Sequence, residues 1–194
     1  MFQVPIKEFE RLPLRVHGFL TGVPLHDVWA VDLPRMRSGI TLDEFLRMTS
    51  ARPFTPSPAV RALLNLRFFV GRLLGWDREP PKISCETFAV RMTAADCRRS
   101  ITPAGAREGA LRIVYRFENE QLLELINRTA HAAALSALVE TVDAYRFYFA
   151  IYVANVSRFT PIYMALIDPF RKLLVYPSLL RSVRASWDTT FCLI

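Results

Sequence analysis

The sequence predicts an α+β domain in which an antiparallel sheet is preceded and followed by amphipathic helices. Three observations carry this. Apolar and polar residues alternate from Leu111 to Glu118, two further long strand-like stretches follow it across short turns, and apolar residues recur at helical spacing from Pro58 to Leu74 and again after Thr160. At 194 residues the chain has the size of one domain, enough to bury roughly 70% of its unfolded surface behind a single core. Hydrophobic residues make up 52%, charged ones 22%, and the mean hydropathy is +0.19, which excludes a disordered chain.

In chain order, Leu25 to Leu33 reads as the first strand, rich in Val and Trp and closed by Pro34. Thr41, with Glu44 three places later, has the spacing of a capping box and opens a short helix through Met48. A longer helix is predicted from Pro58 to Leu74, with proline at its first position and Gly75 just beyond its end. These are the two helices expected between the first and second strands. Gly105 and Gly109 read as turn residues. The strand from Leu111 to Glu118 then places Leu111, Ile113, Tyr115 and Phe117 on one face.

Glu118 to Glu120 reads as a tight turn into a second long stretch, Leu122 to Val139, and a turn near Thr141 to Asp143 leads to a third, Tyr145 to Val156. His131 to Val139 taken alone is also compatible with a helix, because Ala and Leu dominate it. From Thr160 and Pro161 a wide apolar stripe runs through Leu174, with restarts or kinks expected at Pro169 and Pro177 before Trp187 ends the element.

Basic residues number 25 and acidic ones 18, a net charge of +7. The excess is not gathered into an arm, and no helix-turn-helix, zinc-finger or ribonucleoprotein motif accompanies it, so no nucleic-acid partner is expected. Cys85, Cys97 and Cys192 are odd in number and widely spaced, which suits a reducing compartment. Lys7, Glu8, Glu10 and Arg11 interrupt the stretch where a signal peptide would be apolar, so a cytoplasmic location is expected. The densest apolar run, Phe147 to Ala154, is far too short for the roughly 18 residues of a membrane span.

The chemistry-bearing residues are few. Read as one strand, Leu123 to Val139 puts Asn127, Thr129 and His131 in a row on an otherwise apolar face, as a small-molecule pocket requires. His131 is the candidate general base by its side-chain type, with no orienting carboxylate evident. Asp27 shares a face with Trp29, Val31 and Leu33 and is a second candidate. Strand alternation would send its neighbour His26 to the other side. The three histidines have no metal-ligand spacing, so neither a metal centre nor a cofactor is expected. No G-x-S-x-G elbow, phosphate loop or dinucleotide fingerprint is present.

Pro24 to Asp32, Tyr115 to Glu118, Glu124 to His131, Tyr163 to Arg171 and Val175 to Pro177 together resemble a bacterial family of uncharacterised proteins, domain of unknown function number 2867. That family is grouped with the START-like and polyketide-cyclase (SRPBCC) superfamily. The resemblance implies a helix-grip fold: a curved antiparallel sheet wrapped around a kinked C-terminal helix, with an apolar cavity between them. It favours strand over helix for His131 to Val139. It also implies one domain over residues 1–194, with 1–23 as an extension. No reaction follows from it, since a fold does not specify a function.

The leading expectation is a small hydrophobic ligand held between sheet and C-terminal helix by Asn127, Thr129, His131, Tyr115, Asp27 and Arg171. One alternative is a cyclase or dehydratase using the same pocket with His131 as acid or base. Another is a peripheral membrane or partner-docking module, because the segment from Arg158 to Trp187 carries five basic residues against Asp168 alone.

Overall fold

A computed structural model of the chain describes residues 1–49, 86–126, 131–154 and 160–192. The helix predicted over 58–74 lies outside them, as do Asn127 and Thr129. The described residues form one open antiparallel sheet of seven strands: β1 (Phe2–Gln3), β2 (Leu25–Pro34), β3 (Arg107–Glu108), β4 (Leu111–Arg116), β5 (Glu120–Ile126), β6 (His131–Glu140) and β7 (Ala144–Ala154). Their order across the sheet is β1-β2-β7-β6-β5-β4-β3. The meander expected downstream of residue 111 is present, and Gly105 and Gly109 take positive φ at the turns flanking β3.

The single strand expected over Leu123 to Val139 is two strands. β5 and β6 pair antiparallel, with Ile126 opposite His131 and Leu122 opposite Leu135, so the chain reverses between them. The reversal changes which residues share a face: Glu120, Leu122 and Glu124 lie with His131, Ala133 and Leu135, while Leu123 and Leu125 lie on the other side. The stretch from Leu122 to Val139 contains no Gly or Pro to mark the change of direction, which is why periodicity alone runs through it.

Two bulges also break the alternation read from sequence. In β4 the register shifts between Ile113 and Tyr115, so Tyr115 stands opposite Leu122 while Ile113 stands opposite Leu123. Ile113 and Tyr115 therefore occupy opposite faces instead of the same one. In β2 the register shifts between Leu25 and Asp27, Leu25 pairing with Tyr152 and Asp27 with Ile151.

Each face of the sheet has its own cover. One carries Val28, Ala30, Tyr115, Leu122, Leu135 and Tyr148, packed beneath the N-terminal segment and residues 88–92. The N-terminal segment is no loose extension. Helices α1 (Ile6–Phe9) and α2 (Arg15–Phe19) bury Phe9, Val16 and Phe19 here, at about 1.5–3 kcal/mol per buried side chain. The buried Glu120 carboxylate accepts the backbone N–H groups of Arg15 and Val16 at 2.8 and 2.9 Å, satisfying donors at the start of α2 that the short helix cannot pair itself. The Arg15 guanidinium then forks onto both oxygens of Asp96 at 2.9 Å, the residue that closes the capping box of α4 (Ala94–Arg99) with Thr93.

The other face carries Trp29, Val31, Leu33, Leu138 and Phe147, covered by α3 (Leu42–Thr49) and the C-terminal helix. α3 starts as expected, Thr41 Oγ1 accepting from Glu44 N at 3.1 Å. The C-terminal helix runs as α5 (Thr160–Phe170), a π-helical stretch at Arg171–Val175, and α6 (Tyr176–Trp187). Pro169 and Pro177 bracket the π stretch, which is the restart the prolines demand: each lacks a donor and crowds a carbonyl four residues back, and widening the helix between them accommodates both. Among the described residues, no helix is long and apolar enough to cross a membrane.

Candidate functional site

A cleft of about 350 Å³ opens where the N-terminal end of β2 and the C-terminal end of β7 meet α5. Pro24, Leu25, Val153, Met164 and Ala165 form its apolar wall, and His26 and Asp168 supply its polar part. The His26 Nε2 atom lies 2.8 Å from both carboxylate oxygens of Asp168. Asp168 also accepts from Arg171 Nη1 at 3.0 Å and pairs with Lys172 Nζ at 3.5 Å.

Behind this pair lies a second carboxylate. Asp27 is almost fully buried, with Arg171 Nη2 and the Tyr176 hydroxyl each 3.5 Å from its Oδ2. Arg171 further donates to Tyr176 Oη and stacks over that ring at 5.2 Å. Asp27 Oδ1 is buried without a partner among the described residues. One guanidinium therefore ties β2 to both ends of the π stretch, reaching Asp27, Asp168 and Tyr176.

The β2 bulge is what assembles this group. Strand alternation would part His26 from Asp27, but the bulge leaves His26 as the extra residue between Leu25, opposite Tyr152, and Asp27, opposite Ile151. A ring nitrogen of His26 and one oxygen each from Asp27 and Asp168 then lie within 4.8 Å of one another. The two neighbours thus share one polar group, although of the two only His26 lines the cleft and Asp27 lies buried behind it. By spacing these three groups suit a divalent cation, yet Arg171 and Lys172 already set two positive charges against the two carboxylates, and a cation would have to displace the arginine.

Environment sets the charge states. Burial is the largest influence on Asp27 and raises its pKa above the ordinary carboxylate value, only partly offset by Arg171 and His26. For Asp168 burial also pushes upward, but the His26 hydrogen bond and the charges of His26, Arg171 and Lys172 outweigh it and the pKa falls. Asp168 is thus the firmly ionised member, and its partner nitrogen on His26 carries the proton.

The other sequence candidates lie elsewhere. His131 is on the opposite face of the sheet, buried, stacked on Phe88 with ring centroids 3.8 Å apart and 3.3 Å from Glu124 Oε2. Glu124 also accepts from Phe88 N at 2.9 Å and from the Thr87 hydroxyl. That is the orienting carboxylate the sequence does not reveal, but the assembly is closed over by the 3-10 turn Phe88–Arg91 and does not line the cleft. Tyr115 shares this face, its hydroxyl bonded to Glu120 and its pKa driven up by burial. Of the six expected pocket residues, Asp27 and Arg171 meet at one place. His26, Asp168 and Tyr176 are not among the six, because nothing in the sequence marks a bulge or a contact between residues 142 apart.

Residues 19–178 match a family model described as Protein of unknown function (DUF2867). No curated protein and no solved structure matches the chain.

Proposed function

We propose, for a chain that belongs to the DUF2867 family of proteins of unknown function, that it binds a small hydrophobic molecule in the cleft between sheet and α5, with the ligand's polar end at His26 and Asp168. The observation that carries this reading is the cleft itself: about 350 Å³, within the roughly 300–1,000 Å³ of small-molecule sites, apolar along its wall and polar at one place. The helix-grip arrangement and START-like ancestry belong to the same proposal, supported by a C-terminal helix laid along one sheet face. So does a cytoplasmic setting in a bacterial cell, which the exposed free thiol of Cys97 suits.

Native mass spectrometry of the purified protein, followed by denaturing extraction, tests the reading. A small apolar molecule is expected with the wild type and absent from Ala165→Trp, which fills the cleft from the exposed side of α5. Wild-type protein that carries nothing and takes up no apolar probe overturns it.

A second reading is an enzyme of the cyclase or dehydratase kind, favoured by a histidine oriented by a carboxylate at the edge of the cleft. A His26→Ala variant that retains the ligand but stops converting it would select this reading. A third is peripheral membrane contact, favoured by the exposed Phe170, Leu173 and Leu174 beside Lys172. Pelleting with anionic vesicles that is lost in Leu173→Glu would select that one.

A further inference from the structure

We infer that α5 is a hinged wall of the cleft: it swings away from the sheet about the π-helical stretch, independently of α6, and the contact between His26 and Asp168 is the latch that holds it closed. The two halves of the C-terminal helix are held in different ways. α6 is rooted in the core, with Leu180 and Trp187 fully buried and Tyr176 nearly so. It is also tied to β2, Trp187 Nε1 donating to the Pro34 carbonyl at 3.0 Å and Arg184 Nη1 to the Asp32 carbonyl at 2.7 Å. Of the α5 side chains that the structure describes, Met164 alone is buried, while Ala165, Pro169 and Phe170 are exposed. The cleft itself separates α5 from the ends of β2 and β7. Beside it Met164 and Ile167 form a small apolar cluster with Val153 and Ile151, and the remaining tie is polar, His26 Nε2 to Asp168 at 2.8 Å.

The backbone between the halves is suited to bending. Pro169 and Pro177 have no amide hydrogen, so the α-helical bonds they would close onto the Ala165 and Leu173 carbonyls cannot form. Between them Arg171–Val175 is wound as a π-helix, a winding that recurs at functional positions. Arg171 opens this stretch, and its guanidinium reaches Asp27 on β2 and Tyr176 on α6 as well as Asp168 on α5. Two of these partners belong to the rooted part, so Arg171 remains with Asp27 when α5 lifts. Opening gives up the Asp168 pairs, which are partly exposed and which water offsets in part, and the small Met164 cluster. That costs far less than unburying Leu180 and Trp187, so α5 opens while the rest stays folded. The motion follows from the packing whether or not the cleft holds a ligand, and it widens the cleft into a route of entry from solution.

Hydrogen exchange of the intact protein, read by mass spectrometry over Thr160–Phe170 and Tyr176–Trp187, tests this. A detached helix of 11 residues is too short to stay wound in water, so its amides report the opening. After correction for intrinsic rates, α5 amides are expected to exchange at least about tenfold faster than those of α6. Urea below the unfolding midpoint should accelerate α6, which exchanges through global unfolding, and leave α5 within about twofold, since a local opening exposes little surface. Trp187→Phe, which weakens only the α6 anchor, should do the same. Asp168→Asn should accelerate α5 about tenfold, the effect of losing one hydrogen bond to a charged group. Equal protection of the two halves, or α5 exchange that rises in step with α6 in urea or in Trp187→Phe, overturns the hinge. Unchanged α5 exchange in Asp168→Asn overturns the latch, and with it the inference.

Discussion

His26 and Asp168 stand 142 residues apart in the chain and meet at the cleft, Nε2 lying 2.8 Å from each carboxylate oxygen. Because the pair joins a bulged strand end to α5, it fixes how the helix sits on the sheet and so fixes the shape of the cleft. Asp168→Asn is expected to cost about 1.5–3 kcal/mol of stability at neutral pH, the range for a hydrogen bond to a charged group. The folded-state pKa of Asp168 is lowered, so its stabilisation is complete above the unfolded carboxylate value and is lost as pH falls through the lowered one. Urea unfolding should show the wild type's advantage intact at about pH 5 and shrinking only under stronger acid.

Asp27 carries the opposite sign. Its pKa is raised, burial being the main cause, so the wild type holds this contribution below the unfolded carboxylate value and loses it as pH rises through the raised one. The amide that replaces it in Asp27→Asn does not titrate. The stability of this variant relative to wild type is therefore expected to increase between about pH 4 and about pH 7.5 in urea titrations. A relative stability that falls over this interval would contradict the assignment.

His131→Ala separates the two faces of the sheet. The variant removes a stacked, buried ring and a partner of Glu124, and a loss of about 2–4 kcal/mol is expected from the cavity and the weakened carboxylate. Affinity for an apolar probe in the cleft should stay within about twofold of wild type, since the sheet lies between. A selective loss of probe binding with stability unchanged would return His131 to the ligand site.

Trp187 pins the end of α6. It is fully buried, donates from Nε1 to the Pro34 carbonyl at 3.0 Å, and packs against Phe45 and Tyr145 with centroids 5.4 and 5.3 Å away. Truncation in Trp187→Ala is expected to cost about 3–5 kcal/mol, measurable as a lowered urea midpoint with near-ultraviolet circular dichroism changed. Trp187→Phe, which keeps the ring contacts but leaves the Pro34 carbonyl without this donor, should cost less.

Those residues also mark how far the chain can be read unaided. The meander, the Thr41 cap, the glycine turns and the proline-driven restart of the C-terminal helix are all legible, because each depends on local conformational preference or on a repeat of two or 3.6 residues. The reversal between Ile126 and His131 is not, since its flanks are equally apolar, it contains no Gly or Pro, and Asn127 reads equally well as a polar residue on a strand face. Nor are the bulges: one extra residue in β2 turns His26 toward the partners of Asp27, and nothing in Leu25-His26-Asp27 distinguishes a bulge from regular strand. Glu124 and His131 are close in sequence, but only the hairpin makes them neighbours on one face.

The two outermost strands, Phe2–Gln3 and Arg107–Glu108, are only two residues long, and the second carries a charge of each sign. An open sheet ordinarily offers its edges as templates for another chain's backbone. Here the margin is too short to seat a foreign strand, and its side chains resist being stacked in register. Lateral growth of the sheet into fibrils or ribbons is thereby discouraged without closing it into a barrel. Among the described residues, the two outermost strands thus offer another chain's backbone little length to pair with.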